Sequence, residues 1–345
     1  MFYNMKNPNK VYIIAEIGVN HNGSLSLAKE LIYEASKSGV DAVKFQTFKA
    51  DNLLSSDKIE KAPYQKRENS QNQYTMLKRL ELNYDDFKVL KDMCNELKLD
   101  FLSTPYDKDS VILLQNLNVD TVKIASADLV NKNLIDSILN QDLNIILSVG
   151  MATYEEISRT VKYILNKKKK IELGLLHCTT SYPTAYKDVN MNVMRKLISE
   201  YEDRLVIGYS DHTEGNEVAL MAVSLGAKII EKHFTLDKSM EGPDHFASAE
   251  PNELINLVQS IRNLEQAFGT ENKLLTETEL VNINVMRRSV HAKKTLNIGH
   301  ILTNEDITLT RPYDGYSAWD YEKLIGKKLT KNVIKGEPII WGDLI

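Results

Sequence analysis

Two histidines stand at matching places in the sequence, each at the end of a short apolar run. His212 lies in YSDHT (209–213), and His233 lies in EKHFT (231–235). If the two runs are neighbouring parallel strands, the imidazoles converge on one ion, and imidazole suits manganese, iron or zinc better than magnesium or calcium. Two protein ligands leave coordination positions open for water and substrate, which is typical of a catalytic metal. A third histidine, His177, precedes Cys178 on another apolar run, and we interpret it as a core residue.

Two lysines, Lys44 and Lys123, also lie near the ends of apolar runs that are rich in hydroxyl side chains. Point charges surrounded by neutral donors form a good seat for a phosphate group. Two alternatives remain open from the residues alone. The lysines could form internal ion pairs with Glu16 or Asp128, or Lys123 could form a Schiff base with a carbonyl substrate, as in many barrel aldolases.

The elements that must position these residues alternate regularly between residue 11 and about residue 269. Short, β-rich apolar runs are separated by longer amphipathic patterns such as LSLAKELIYEASKSG and TYEEISRTVKYILNKK. The runs are almost continuously apolar, as parallel strands buried on both faces are. Eight such units predict a (β/α)₈ TIM barrel. The predicted strands are 11–18, 42–48, 100–106, 121–126, 144–150, 171–178, 205–211 and 228–235.

The carboxyl ends of these predicted strands carry an unusual number of polar side chains. Substrate-handling groups in such a barrel project from that end. Each buried polar group costs about 1–3 kcal/mol unless it is satisfied, so a scaffold without a site has no need of so many. Taken singly, Ser103 and Ser148 could instead cap the helices that follow them. The set comprises Glu16, Lys44, Gln46, Ser103, Thr104, Lys123, Ser126, Ser148, His177, Thr179, Ser210, Asp211, His212, Lys232 and His233.

Composition limits the class of partner. The 43 basic and 47 acidic residues give a net charge of −4, so no basic field favours nucleic acid or an anionic membrane. The N-terminal MFYNMKNPNK lacks the apolar core of a signal peptide, and no apolar run reaches the roughly 20 residues that a bilayer requires. We therefore expect a cytoplasmic protein with a small-molecule partner and no membrane association.

Two further segments indicate the domain organisation. Residues 49–80 are too long and polar for a simple connection, which favours an elaborated loop on the active-site side of the barrel. After a polar connector, NIGHILTNEDI (297–307) and VIKGEPIIWGDL (333–344) share a spacing, since Gly299 precedes Asp306 and Gly336 precedes Asp343 by the same interval. This quasi-repeat predicts a compact β-rich domain. We assign a catalytic barrel to 1–270, a linker to 271–284 and a small domain to 285–345.

Several ordered motifs together resemble the sialic acid synthase family, and the resemblance covers essentially the whole chain. The C-terminal part, with RRS (287–289) and TRP (310–312), is similar to the antifreeze-like (SAF) domain of those enzymes. The barrel motifs are AEIGVNHNGS (15–24), VKFQTFKA (43–50), FLSTPYD (101–107), KIASADL (123–129), LHCTTSYPT (176–184), GYSDHT (208–213) and EKHFTLDKSMEGPDHFAS (231–248).

The resemblance implies an enzyme that condenses phosphoenolpyruvate with an N-acylmannosamine-type sugar and water, and releases phosphate by C–O cleavage. It implies a divalent metal held by His212 and His233, with manganese expected and magnesium or cobalt as other candidates. N-acetylmannosamine is the preferred sugar, which would make the protein an N-acetylneuraminate synthase. The alternative is a legionaminic acid synthase that uses 2,4-diacetamido-2,4,6-trideoxymannose, and a lysine Schiff-base aldolase is more distant.

The resemblance also assigns roles to individual residues. Glu16 is the best candidate for proton transfer. Arg311 would reach from one subunit into the barrel of another, which implies a domain-swapped homodimer. The residues implied to hold phosphoenolpyruvate are Lys44, Thr104, Lys123, Ser126, Ser148 and Ser210. The residues implied to contact the sugar, beside Glu16, are Gln46, Tyr182, Asp244 and Arg311.

Overall fold

The computed structural model describes residues 5–7 and 9–345. The chain divides into two compact units, Met1–Gly269 and Thr270–Ile345. Within the described residues, no helix is both long enough and apolar enough to cross a membrane.

The first unit is a parallel eight-stranded sheet in the order β3-β2-β1-β8-β7-β6-β5-β4, with β3 and β4 lying side by side. The predicted (β/α)₈ barrel is therefore confirmed, and each strand lies within two residues of its predicted bounds. The strands are β1 Tyr12–Gly18, β2 Ala42–Thr47, β3 Asp100–Pro105, β4 Thr121–Ile124, β5 Asn144–Ser148, β6 Leu173–His177, β7 Val206–Asp211 and β8 Ile229–His233.

Alternation along each strand divides the interior of the barrel into an apolar and a polar part. Tyr12 and Ile14 on β1 belong to a buried cluster with the early residues of the other strands, such as Ile229. Successive side chains point to opposite faces of a strand, so Glu16 shares the inward face with Ile14, and Glu231 shares it with Ile229. The amino ends of the strands thus supply a packed floor, and the carboxyl ends point polar groups into the mouth.

The helices of the first unit pack outside the strands and begin at local capping signals. Thr153 and Glu156, for example, form a reciprocal capping box at the start of α7. The helices are α1 Leu25–Lys37, α2 Ala50–Leu53, α3 Gln73–Leu80, α4 Tyr84–Glu96, α5 Lys108–Asn116, α6 Lys132–Asn140, α7 Tyr154–Lys167, α8 Asn192–Tyr201, α9 Glu217–Ser224 and α10 Pro251–Phe268.

The long segment between β2 and α4 is an ordered elaboration that contains α2, a 3₁₀ helix over Pro63–Arg67, and α3. A buried carboxylate holds it together, because Glu68 is 2% exposed and accepts a hydrogen bond from Arg79 at 2.8 Å. Lys61 pairs with the same carboxylate at 3.4 Å. This segment is therefore fixed to the barrel mouth, on the side where an active-site loop was predicted.

The second unit is small and β-rich, and its two quasi-repeats adopt matching conformations. It comprises α11 Glu277–Met286, which falls in the segment predicted as a linker, and the antiparallel strands β9 Ser289–Ala292, β10 Ile307–Thr310 and β11 Tyr316–Ser317. Gly299 and Gly336 both have left-handed backbones, at φ +85° and +87°. Asp306 and Asp343 are both buried, and each accepts a hydrogen bond from the backbone amide three residues before it.

Candidate active site

A cavity of about 340 Å³ lies at the carboxyl ends of the barrel strands. Every barrel residue to which the family resemblance assigned a role lines it, whereas Arg311 lies in the second unit with an exposed side chain. The cavity brings together Glu16, Lys44, Gln46, Thr104, Lys123, Ser126, Ser148, Tyr182, Ser210, His212, His233 and Asp244.

The two lysines form a buried charge network with two glutamates. The Nζ atom of Lys44 lies 2.6 Å from Glu16 Oε2 and 3.8 Å from Glu231 Oε2, and it donates to Thr104 Oγ1 at 3.1 Å. Lys123 donates to Glu231 Oε1 at 3.1 Å. The ion pair between Lys44 and Glu16 that the sequence analysis considered is therefore present, but the partner of Lys123 is Glu231 and not Asp128.

Glu231 was not singled out from the sequence, although it lies between both lysines. The signal was available in the alternation of β8, because Glu231 and His233 are two residues apart and share a strand face. Its carboxylate also accepts a hydrogen bond from Ser210 at 2.8 Å. The site thus contains an acid that links β2, β4, β7 and β8.

Glu16 and Glu231 have opposite ionisation tendencies. Burial raises the pKa of Glu16, and the opposing effect of Lys44 does not cancel it. Burial alone would also raise the pKa of Glu231, but the nearby Lys123 and Lys44 cations hold it below its ordinary value. Two carboxylates whose environments separate their pKa values can serve as proton donor and permanent anion, respectively.

The hydroxyl groups around the lysines are only partly satisfied. Ser126 Oγ accepts from the amide of Gly150 at 3.0 Å and lies 3.1 Å from Cys178 Sγ. Ser148 is 3% exposed, and its Oγ has no hydrogen-bond partner within the part of the chain that the structure describes. A buried hydroxyl without a partner is costly, so this donor fits a polar ligand in the cavity.

The two histidines predicted to bind a metal lie side by side, with ring centroids 5.5 Å apart. His212 Nδ1 donates to the carbonyl of Thr179 at 2.7 Å, which leaves the lone pair on Nε2. His233 Nδ1 finds no hydrogen-bond partner among residues 5–7 and 9–345. Burial lowers the pKa of both imidazoles, so they are neutral at physiological pH.

These features fit a divalent metal with two imidazole ligands, because a metal requires neutral imidazole and second-shell contacts commonly fix the tautomer. No group of three or more His, Cys, Asp or Glu side chains suited to a metal occurs among the described residues. His177 lies outside the cavity, with its Nε2 atom 2.8 Å from the carbonyl of Val189.

Aromatic rings and one further acid surround the histidine pair. The ring of Tyr182 lies 4.3 Å from that of His212 and 4.7 Å from that of Tyr64, a loop residue that sequence reasoning missed. Asp244 Oδ2 is 4.0 Å from His233 Nδ1. Burial, with a smaller contribution from Glu16, raises the pKa of Asp244 to about 7.

Comparisons with known proteins give consistent matches for both units. The NeuB family model matches residues 31–273, and the SAF domain model matches residues 287–345. The N,N'-diacetyllegionaminic acid synthase of Legionella pneumophila is 43% identical over 96% of this chain and 93% of its own. The enzyme of that name from Campylobacter jejuni is 45% identical over 96% and 99%. The crystal structure of N-acetylneuraminic acid synthetase from Leptospira borgpetersenii is 34% identical, with a TM-score of 0.71 over 80% of this chain and 91% of that one.

Proposed function

The chain belongs to the NeuB family, and from that membership we propose that it condenses phosphoenolpyruvate with 2,4-diacetamido-2,4,6-trideoxymannose and water. The products would be N,N'-diacetyllegionaminic acid and inorganic phosphate. The chain is thus an enzyme of the nonulosonic acid synthase class. Relatives named for the diacetyl product are 43% and 45% identical, against 34% for the N-acetylneuraminic acid synthetase. This difference favours the diacetamido sugar over N-acetylmannosamine, which the sequence analysis preferred.

The observation that carries the proposed reaction is a single cavity that joins a cationic seat to two neutral imidazoles. Lys44 and Lys123 would hold the phosphate and carboxylate groups of phosphoenolpyruvate, because point charges with hydroxyl donors suit both anions. The unpartnered Ser148 hydroxyl would donate to the same ligand. Glu231 would keep both lysines in place while remaining ionised. The other hydroxyl donors in this seat would be Thr104, Ser126 and Ser210.

We assign the metal to His212 and His233 and expect manganese, with magnesium or cobalt as substitutes. When bound, the metal supplies a Lewis acid that polarises the aldehyde of the sugar. The carbonyl of Thr179 orients His212, and the ring of Tyr182 covers the pair and limits the access of water. The proposal is supported by the neutral state of both imidazoles and by the unpartnered nitrogen of His233.

Glu16 would carry the proton of the condensation. As carbon 3 of phosphoenolpyruvate attacks the aldehyde carbon, the protonated carboxyl of Glu16 gives its proton to the aldehyde oxygen, which becomes a hydroxyl. Water then adds at carbon 2, and its proton returns to the carboxylate. Phosphate leaves with the bridging oxygen, and the 2-keto acid remains. Gln46 donates to Glu16 at 3.2 Å and would keep the acid oriented toward the sugar.

We also propose that the enzyme is a homodimer in which Arg311 of one subunit binds the N-acyl group of the sugar in the barrel of the other. Apolar side chains on α11 support self-association, because Leu280 is 53% exposed and Val281 is 67% exposed. Val285 and Met286, at 65% and 53%, extend the same apolar surface. Exposed apolar patches of this kind commonly mark protein interfaces.

The test of the proposed function is a comparison of two sugars. With phosphoenolpyruvate present, we expect kcat/KM for 2,4-diacetamido-2,4,6-trideoxymannose to exceed that for N-acetylmannosamine by about tenfold or more, because the two sugars differ at two substituents. Phosphate release would give the rates, and mass spectrometry would identify the products. Equal or better use of N-acetylmannosamine would contradict the assignment of the sugar.

Gly150→Ala is predicted to weaken the binding of phosphoenolpyruvate. A Cβ atom at this position would lie 2.5 Å from Thr180 Oγ1 and 2.9 Å from Ser126 Oγ, so the Ser126 hydroxyl must move. We expect the KM for phosphoenolpyruvate to rise about tenfold, because one charge-assisted hydrogen bond contributes about 1.5–3 kcal/mol. Gly342→Ala is the control, since a Cβ there meets no atom within 4 Å. An unchanged KM in the Gly150 variant would remove Ser126 from the phosphoenolpyruvate seat.

A further inference from the structure

One wall of the cavity differs in chemistry from the rest, and the proposed reaction has not used it. The α3 residues Gln73, Met76, Leu77 and Leu80 all line the cavity. Their spacing of i, i+3, i+4 and i+7 places them on one face of the helix. This face therefore points into the cavity, polar at its first residue and apolar at the other three.

The apolar part of this wall is firmly packed. Met76 and Leu80 are 0% and 1% exposed, and they form a buried cluster with Val19 and Phe48. Leu77 is partly buried and packs against this cluster, and Leu53 of α2 lines the cavity as well. Close-packed groups resist displacement, so the wall presents a fixed apolar surface to a ligand.

The segment that carries the wall is also attached to the β8 loop that supplies Asp244. The Arg67 guanidinium lies 4.0 Å from the centroid of the Phe246 ring, and Asn69 donates to Glu241 at 3.0 Å. The wall and the Asp244 loop therefore form two connected sides of one binding surface.

The order of groups around the cavity relates the wall to the two ends of the sugar. The aldehyde end must lie near His212, and the Tyr182 ring lies between the rings of His212 and Tyr64. Tyr64 donates nothing to the phosphoenolpyruvate seat but receives a hydrogen bond from Gln65, whose carbonyl accepts from Gln73 of α3. The α3 wall thus begins one aromatic ring beyond the histidine pair, where carbons 4 to 6 of the sugar would lie.

We propose that Leu53 and Leu77 determine the choice of sugar by contacting the carbon 6 methyl group and the methyl of the 4-acetamido group. This inference rests on the proposed function and deepens it. N-acetylmannosamine has hydroxyl groups at carbons 4 and 6, and these groups would lose water without gaining a partner at the apolar wall. The diacetamido sugar has a methyl and an acetamido group at these positions, so it buries apolar atoms there instead.

The test is the ratio of kcat/KM for the two sugars in Leu77→Gln and Leu53→Gln. Each glutamine offers a hydrogen-bond partner in place of an apolar surface, so we expect the ratio to shift about tenfold toward N-acetylmannosamine. The Leu77→Met control keeps the surface apolar and should retain the wild-type ratio within about twofold. Leu113→Gln is the matched control for stability, because Leu113 is a partly buried leucine of α5 outside the cavity.

The outcomes separate this inference from the proposed function. A wild-type enzyme that prefers the diacetamido sugar, with an unchanged ratio in both folded glutamine variants, would overturn the role of the wall and leave the function intact. A wild-type enzyme that turns over neither sugar would overturn the function and the inference together. A shift in the Leu113→Gln variant equal to that in Leu77→Gln would also overturn the inference, because the effect would then be general destabilisation.

Discussion

His212→Ala is expected to lower kcat by about 10³-fold or more, since a Lewis acid at the carbonyl contributes several kcal/mol of transition-state stabilisation. The variant should also lose its bound manganese, because only His233 would remain of the imidazole pair. The fold should survive, since the ring lies at the cavity and not in the apolar clusters. Steady-state kinetics and metal analysis by mass spectrometry measure the two effects.

His177→Gln is the matched control for this change. His177 is also a buried histidine at the end of a neighbouring strand, but its Nε2 atom bonds to the carbonyl of Val189 and the side chain lies outside the cavity. The control should therefore retain metal and near-normal kcat. Full activity in a metal-free His212→Ala variant would contradict the role given to the histidine pair.

Lys123→Met is expected to lower kcat/KM for phosphoenolpyruvate by about 10³-fold, because it removes a cation from the seat and leaves the buried Glu231 charge without its closest partner. The pKa of Glu231 should rise as a result, since Lys123 is the main group that lowers it. The effect should fall mainly on phosphoenolpyruvate and much less on the KM for the sugar. Initial-rate kinetics with each substrate varied in turn would measure this selectivity.

Two controls distinguish the loss of a binding cation from destabilisation by an unpaired charge and from the loss of a Schiff-base lysine. The double variant Lys123→Met/Glu231→Gln removes the unpaired charge and should recover stability, but it should not recover the binding of phosphoenolpyruvate. Borohydride added during turnover should leave wild-type Lys123 unmodified, because the proposed reaction forms no Schiff base. A reduced substrate adduct on Lys123 would instead support the aldolase alternative.

The fold of the first unit was predictable because parallel barrel strands are buried on both faces and read as continuous apolar runs. Runs such as AVKFQTF predicted a strand at 42–48, and β2 spans Ala42–Thr47. The positions of Glu16 and Lys44 in the mouth follow from the same rule, since catalytic residues in this fold lie at the carboxyl ends of strands. The sequence thus identified the elements and most groups that face the cavity.

Partners within the cavity were harder to predict because they depend on the register between strands. Asp128 was a plausible partner for Lys123 by sequence, but its carboxylate accepts from Asn131 at 2.8 Å, whereas Glu231 reaches Lys123 from β8. A short acid near a strand end cannot be distinguished from a capping residue without three-dimensional contacts.

The apolar wall and α11 also escaped prediction, for different physical reasons. The sequence of 49–80 is polar overall, and only the helical register of α3 shows that Met76 and Leu77 share one face. The polar connector after Gly269 concealed α11, which begins at a capping box formed by Thr276 and Glu279. The choice between two similar sugars depends on such a wall, so motifs shared by both kinds of synthase could not decide it.

The central claim is that one cavity performs a metal-dependent condensation of phosphoenolpyruvate with a diacetamido sugar. The most direct test is phosphate release by the metal-stripped enzyme with phosphoenolpyruvate and 2,4-diacetamido-2,4,6-trideoxymannose, before and after manganese is added, with the product weighed by mass spectrometry. We predict phosphate release that requires both the sugar and the metal, with a product of the mass of N,N'-diacetyllegionaminic acid. Phosphate release that continues without the sugar, or no release after manganese is restored, would contradict the claim.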